Sequence, residues 1–140
     1  MAILNDLTPA IVDVIIPQGS DVKEFFQLYE DAEQTIAFNL SGFTARSHIR
    51  STYNSSTPLL ILTSDNNKIM LGAKIENDVI VSDDPANGGI AIIYNSADTT
   101  AIRFQDEALE AVRDIELVDI SNKVRRIIQG TITILREVTR

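Results

Sequence analysis

Alternation of apolar and polar residues dominates this chain. In Phe43–Arg50, Phe43, Ala45, Ser47 and Ile49 fall on one face and Thr44, Arg46, His48 and Arg50 on the other. A period of two is the signature of a half-buried antiparallel strand. Thr131-Ile132-Thr133-Ile134-Leu135 alternates in the same way and carries no charge. Together with Asp114–Val118, a short turn and Val124–Gln129, it predicts a C-terminal hairpin whose second strand is broken or bulged at Gly130. An uncharged alternating run is an aggregation hazard as an open edge. It is therefore expected either at the centre of a sheet or under a partner, which makes Ile132 and Ile134 candidate interaction residues.

Shorter runs fill the rest of the chain. Residues 1–10 predict a leader closed by Pro9, either a helical turn or an extended arm. Ile11–Ile16 is dense in β-branched residues and predicts a strand, ended by the turn Pro17-Gln18-Gly19-Ser20. Lys23–Tyr29 reads as a strand in preference to a helix. After a polar loop at 52–58, Leu59–Thr63, Lys68–Leu71, Asp78–Ser82 and Ile90–Tyr94 read as further strands. Asp65-Asn66-Asn67 and Asp83–Gly89 supply turns between them. Ser96–Ile102 predicts one helical turn, with Ser96 accepting from its freed N–H groups, and residues 103–110 connect onward. The sum is about seven to nine short strands with no long helix, the pattern of an antiparallel sandwich or barrel. No linker divides it: residues 1–10 form an N-terminal arm and residues 11–140 one domain.

Composition narrows the chemistry. The 140 residues are 44% hydrophobic, enough for one core, and carry a net charge of −8. Free nucleic acid and anionic membrane are poor partners for such a charge. The absence of cysteine excludes disulfides, thiolate zinc sites and cysteine nucleophiles. No signal peptide is visible, and no run approaches the ~20 apolar residues of a membrane span. Synthesis in a cytoplasm is expected.

Candidate chemistry is thin. The single histidine, His48, sits between Arg46 and Arg50 on the polar face of its strand, and reads as a solvated surface residue. Asp65-Asn66-Asn67 and Asp83-Asp84 lack the glycine and closing Glu of a calcium loop and read as turns. Asn87-Gly88-Gly89 lacks the Lys and Ser/Thr of a phosphate loop. Arg46, Arg50, Arg125 and Arg126 are expected to pair across strands with Asp114 and Glu116 rather than to form a nucleic-acid platform. No catalytic residue, cofactor, metal or small-molecule substrate is expected.

Several segments, taken in order, carry a resemblance. They are Pro17–Asp21, Phe38–Arg50, Ser96–Ala101, Asp114–Val118, Val124–Ile134 and the ending Glu137-Val138-Thr139-Arg140. Together they resemble small structural proteins of tailed bacteriophages, similar to the N-terminal domain of baseplate upper proteins and found near fibre genes. The resemblance spans roughly residues 11–140 and is weakest over 52–95. Ser41 stands where that family usually has threonine. The resemblance implies an immunoglobulin-like antiparallel β-sandwich, a virion location and a role in tail, baseplate or fibre attachment. It implies partners among other phage structural proteins and copies of the chain itself, and no catalysis. A capsid decoration or neck protein, or a carbohydrate-binding host-recognition module, are the alternatives. The leader, through Ile3, Leu4 and Leu7, is the expected contact arm.

Overall fold

The computed structural model describes residues 8–139, so Ile3, Leu4 and Leu7 lie outside the described residues. The fold is all-β, as expected, with eleven strands among the described residues rather than seven to nine. The larger sheet contains β1 (Ala10–Ile11), β2 (Val14–Pro17), β4 (Thr44–Arg50), β5 (Leu60–Thr63), β10 (Ala108–Val118) and β11 (Val124–Leu135). Its order is β1-β11-β10-β4-β5, with β2 also on β11. The second sheet is β3 (Val22–Gln27), β9 (Gly89–Tyr94) and β6 (Ile69–Leu71). A separate hairpin joins β7 (Ala73–Glu76) to β8 (Val79–Ser82). The inner faces of the two main sheets share one core, in which Ile49, Ile115, Ile128 and Ile132 meet Phe26, Ile90 and Ile92. Two packed sheets are compatible with a β-sandwich, but the strand order does not establish the immunoglobulin-like topology that the resemblance implies.

Two pairings depart from the antiparallel expectation. Both β1 and β2 run parallel to β11, Ala10 opposite Ile128 and Val14 opposite Ile132. The offset is the same before and after the gap, so Ile11–Ile16 is in register one strand, interrupted at Val12-Asp13. The interruption has a cause. Asp13 turns its carboxylate onto the Thr131 N–H at 2.8 Å, replacing a ladder bond. Val12 N–H still reaches the Gln129 carbonyl, but the Val12 carbonyl turns inward to Arg113.

Gly130 makes this possible. It is not a break: it stays in register opposite Arg113. A Cβ at Gly130 would land on the Val12 carbonyl oxygen and 2.8 Å from the Asp13 carboxylate. The bulge expected there lies two pairs away. Ile115 faces Ile128 but Glu116 faces Arg126, so Ile127 is the extra residue. Consecutive Ile127 and Ile128 are therefore both buried, the mark of a phase change within one strand.

Other boundaries shift for local reasons. β10 begins at Ala108, inside the segment expected to be a connector. The β7–β8 hairpin closes through Asn77 and Asp78, both at positive φ (52° and 64°), the geometry of a type I′ turn. In the helical turn α1 (Ser96–Thr100) the N-cap position is Asn95, and its side chain makes no cap bond. The cap comes instead from Asp21, whose carboxylate accepts from Ser96 N–H at 2.8 Å. Ile132 and Ile134 are fully buried between β2 and β10. They are core residues of a central strand, not the exposed contact residues expected if that strand were an edge.

Two expectations follow. Gly130→Ala should destabilise by about 1–3 kcal/mol through overpacking against Val12, measured by urea denaturation; unchanged stability would refute the close-approach role. Hydrogen bonds from Thr131 and the nearby Arg113 charge hold the Asp13 carboxyl below its usual range. A depressed carboxyl stabilises the fold above its unfolded pKa and loses that contribution as pH falls through the folded one. Asp13→Ala should thus be less stable at neutral pH and lose less stability on acidification. Parallel pH profiles for the two proteins would contradict this.

Candidate functional site

Two charged constellations lie on opposite faces of β10. The inner one is centred on Arg113, whose side chain is fully buried. Nη1 donates to Glu24 Oε1 at 2.6 Å and to the Tyr94 hydroxyl at 2.9 Å. Nη2 donates to Glu24 Oε2 at 2.9 Å and to the Val12 carbonyl at 3.0 Å. Glu24 belongs to β3 and Tyr94 to β9, so the cluster ties the two sheets together. Nε has no hydrogen-bond partner. Burial disfavours the Arg113 charge, but the bonds to Glu24 outweigh it and the guanidinium is held more firmly protonated than usual. Burial, reinforced by the Glu24 charge, pushes the Tyr94 phenol up. Neither group is set to exchange protons near neutral pH, so the cluster is structural.

The outer constellation lines a groove of about 450 Å³ across β4, β10 and β11. Cross-strand register orders it in rows. Arg46, Glu116 and Arg126 stand side by side on β4, β10 and β11. The next row holds Asp114 with Gln129 opposite, and the same β4–β10 register brings His48 alongside. Arg50 sits opposite Val112 in the third. Alternation accounts for the β4 and β10 members. Arg126 is different: were the same residues paired regularly, without the bulge at Ile127, it would point into the core.

The expected cross-strand pairing is present for two of the four arginines, Arg46 and Arg126. Arg46 Nε bonds Glu116 at 2.9 Å and Arg126 Nε approaches Asp114 at 3.5 Å. The carboxylates are the more buried partners, with Glu116 at 21% and Arg46 at 48% side-chain exposure. Acids thus form the floor and guanidiniums the rim. Arg46 keeps both Nη groups free of partners among the described residues. Arg50 reaches back to the Ser55 carbonyl at 2.8 Å and to His48 Nδ1 at 3.1 Å. Arginine can only donate, so His48 Nδ1 accepts and its proton sits on Nε2. His48 lies on the outer face as expected, but it is half-buried rather than fully solvated. Arg125 stands outside this groove.

Over one end stands Tyr53, 74% exposed. Its loop is stapled by the Ser51 and Ser55 hydroxyls at 2.7 Å and by Thr52 N–H on Ser55 Oγ at 3.1 Å. Sequence reading placed Arg46, His48 and Arg50 on the polar face of β4 but did not bring Tyr53 to them. Its position depends on the 52–58 loop folding back through Arg50, a long-range tie without a sequence signal.

The remaining candidates are turns. Asn66 Oδ1 accepts from Thr63 and Lys68 N–H groups, and Asp84 caps the 3-10 turn Pro85–Asn87 ahead of Gly88 at φ 78°. Among the described residues no group of three His, Cys, Asp or Glu is placed to hold a metal, and no helix is long and apolar enough to cross a membrane. No protein-family model matches the chain, and no curated protein matches it either.

The inner cluster yields a clear expectation. Glu24→Gln leaves Arg113 buried without a counter-charge and should cost about 3–5 kcal/mol. Replacing both, as Glu24→Leu with Arg113→Leu, should recover most of that loss in a denaturation double-mutant cycle. A double variant no more stable than the single one would show that the ion pair is not the coupled unit.

Proposed function

We propose that this chain is a non-enzymatic structural or adaptor subunit of a tailed-phage particle, seated in the tail, baseplate or fibre-attachment region. It assembles there with other particle proteins and copies of itself, without nucleic acid, membrane or cofactor. The ordered segments that resemble the baseplate-associated family fall mainly on α1 and on β4, β10 and β11, three strands of the larger sheet.

The observation that carries the reading is the N-terminal edge of that sheet. Strands β1 and β2 pair with β11 on one side and with no strand on the other among the described residues. Ile11 and Ile15, alternate residues on this edge, are 73% and 66% exposed. Beside them Leu135, opposite Pro17 on β11, is also exposed. Natural edges are usually protected by charge, proline or a covering element. An open edge bearing a β-branched row is instead suited to being covered by another subunit, through strand addition or side-chain burial. In an assembly, the covered area adds to the stability of each domain.

Mass spectrometry of purified particles should find the chain at a fixed ratio to other tail proteins. Ile11→Lys with Ile15→Lys should keep the fold, judged by circular dichroism, while abolishing incorporation. Absence of the wild-type chain from particles would overturn the proposal. Normal incorporation of the folded double variant would remove the edge from it.

A further inference from the structure

We propose that the outer groove between β4, β10 and β11 binds an acidic saccharide, a sugar ring bearing a carboxylate or phosphate, with Arg46 and Arg126 taking the anion and Tyr53 the ring. The proposal does not rest on the particle assignment. The groove lies on the central strands, apart from the apolar edge of β1 and β2.

Four features point to a ligand. The first is charge. Within a chain of net charge −8, the three outer-face guanidiniums of Arg46, Arg50 and Arg126 meet only two carboxylates in the groove, Arg113 being committed to Glu24 on the inner face. The carboxylates lie beneath and meet the Nε atoms of Arg46 and Arg126. Among the described residues both Nη groups of Arg46 therefore stay available, while Arg126 Nη1 makes one long bond, 3.4 Å, to Gln129 Oε1 that a bound anion would displace. A planar fork held this way suits a carboxylate or phosphate, which accepts two parallel hydrogen bonds.

The second feature is construction. Arg126 faces the groove because β11 bulges at Ile127; regular pairing of the same residues would turn it inward. Bulges commonly re-aim side chains beside binding sites. This one turns a cation outward next to Glu116, opposite Arg46, so that two forks flank one acid.

The third is the aromatic rim. Tyr53 is among the most exposed large side chains of the chain, yet its turn is fixed by hydroxyl hydrogen bonds and by Arg50. A held, exposed ring presents a flat apolar face with a polar tip, which fits the C–H face of a pyranose. The fourth is size. The cavity of about 450 Å³ falls within the ~300–1,000 Å³ of ordinary small-ligand sites. Polar side chains converge in it: Gln129 and the Nε2–H of His48 are suited to sugar hydroxyls, one accepting or donating and the other donating.

The test is a titration of the full ¹⁵N-labelled chain followed by NMR. Glucuronate and glucose 6-phosphate supply the two acidic groups on a ring. Methyl glucoside supplies the ring alone and inorganic phosphate the anion alone. Both acidic sugars should shift amides of β4, β10, β11 and residues 51–55, and bind about tenfold or more tightly than either control. Arg46→Gln and Arg126→Gln should each weaken the acidic sugars by about tenfold. Arg126→Lys should weaken them too, because it keeps the charge but loses the fork. Tyr53→Ala should weaken the sugars and leave inorganic phosphate unchanged. All three positions are surface groups, and unchanged thermal unfolding confirms that each variant is folded. No shifts in these residues with either acidic sugar at about 10 mM overturns the proposal. So does inorganic phosphate binding as well as the sugars, or wild-type affinity in folded Arg126→Gln.

Discussion

One buried guanidinium fixes how the two sheets face each other. Hydrophobic burial drives them together but has no direction. Arg113 adds direction, because its fork meets the Glu24 carboxylate through two bonds and takes Tyr94 and Val12 with the other Nη hydrogens. Sliding β10 against β3 or β9 by one residue would separate a charge pair in a dry interior. The attraction barely offsets desolvation in such pairs, so their net stabilisation is small, while the cost of mismatching them is large. The cluster therefore acts mainly on uniqueness of arrangement. Its reach extends to the N-terminal strand, since the Val12 carbonyl can turn inward only where Gly130 leaves room.

This clamp also explains what a sequence reading could and could not see. Phe43–Arg50 and Thr131–Leu135 were legible because their alternation matches their burial with no exception. β10 was only half legible. Leu109, Ala111, Ile115 and Leu117 keep the inward phase, but Arg113 occupies an inward position. A charge there reads as an outward residue and dissolves the pattern at the middle of the strand, so its N-terminal half passes for a connector. β7 failed for a different cause. Lys74 and Glu76 pair with each other on a small hairpin whose side chains are largely exposed, so little alternation survives. The parallel pairing of β1 and β2 with β11 is invisible to period and propensity alike, because it is a choice of neighbour rather than of local conformation.

The groove shows the same division. Its cations lay on the polar phase of β4, and pairing with Asp114 and Glu116 followed from strand neighbours. Which carboxylate met which arginine depended on a register that one inserted residue controls. A glycine in a strand is the usual signal of a bulge, and it pointed to Gly130. The glycine instead serves a close backbone approach, while the bulge sits at Ile127, an isoleucine that gives no sign of it.

Both faces of β11 therefore turn on that residue. N-terminal to it, Arg126 faces out beside Glu116. C-terminal to it, Ile128, Gly130, Ile132 and Ile134 face in. Paired regularly, without the bulge, these same residues would force a choice. Keeping the isoleucines inside would bury Arg126 against the core, where no second acid waits for it. Keeping Arg126 outside would expose the isoleucines and draw Gly130 away from Arg113. The strand avoids that choice by spending one extra residue, buried at Ile127, at the point where the clamped half of the sheet gives way to the half that carries the groove. A sheet built this way can present charged chemistry on its outer face while its inner face is held in register by a single buried charge.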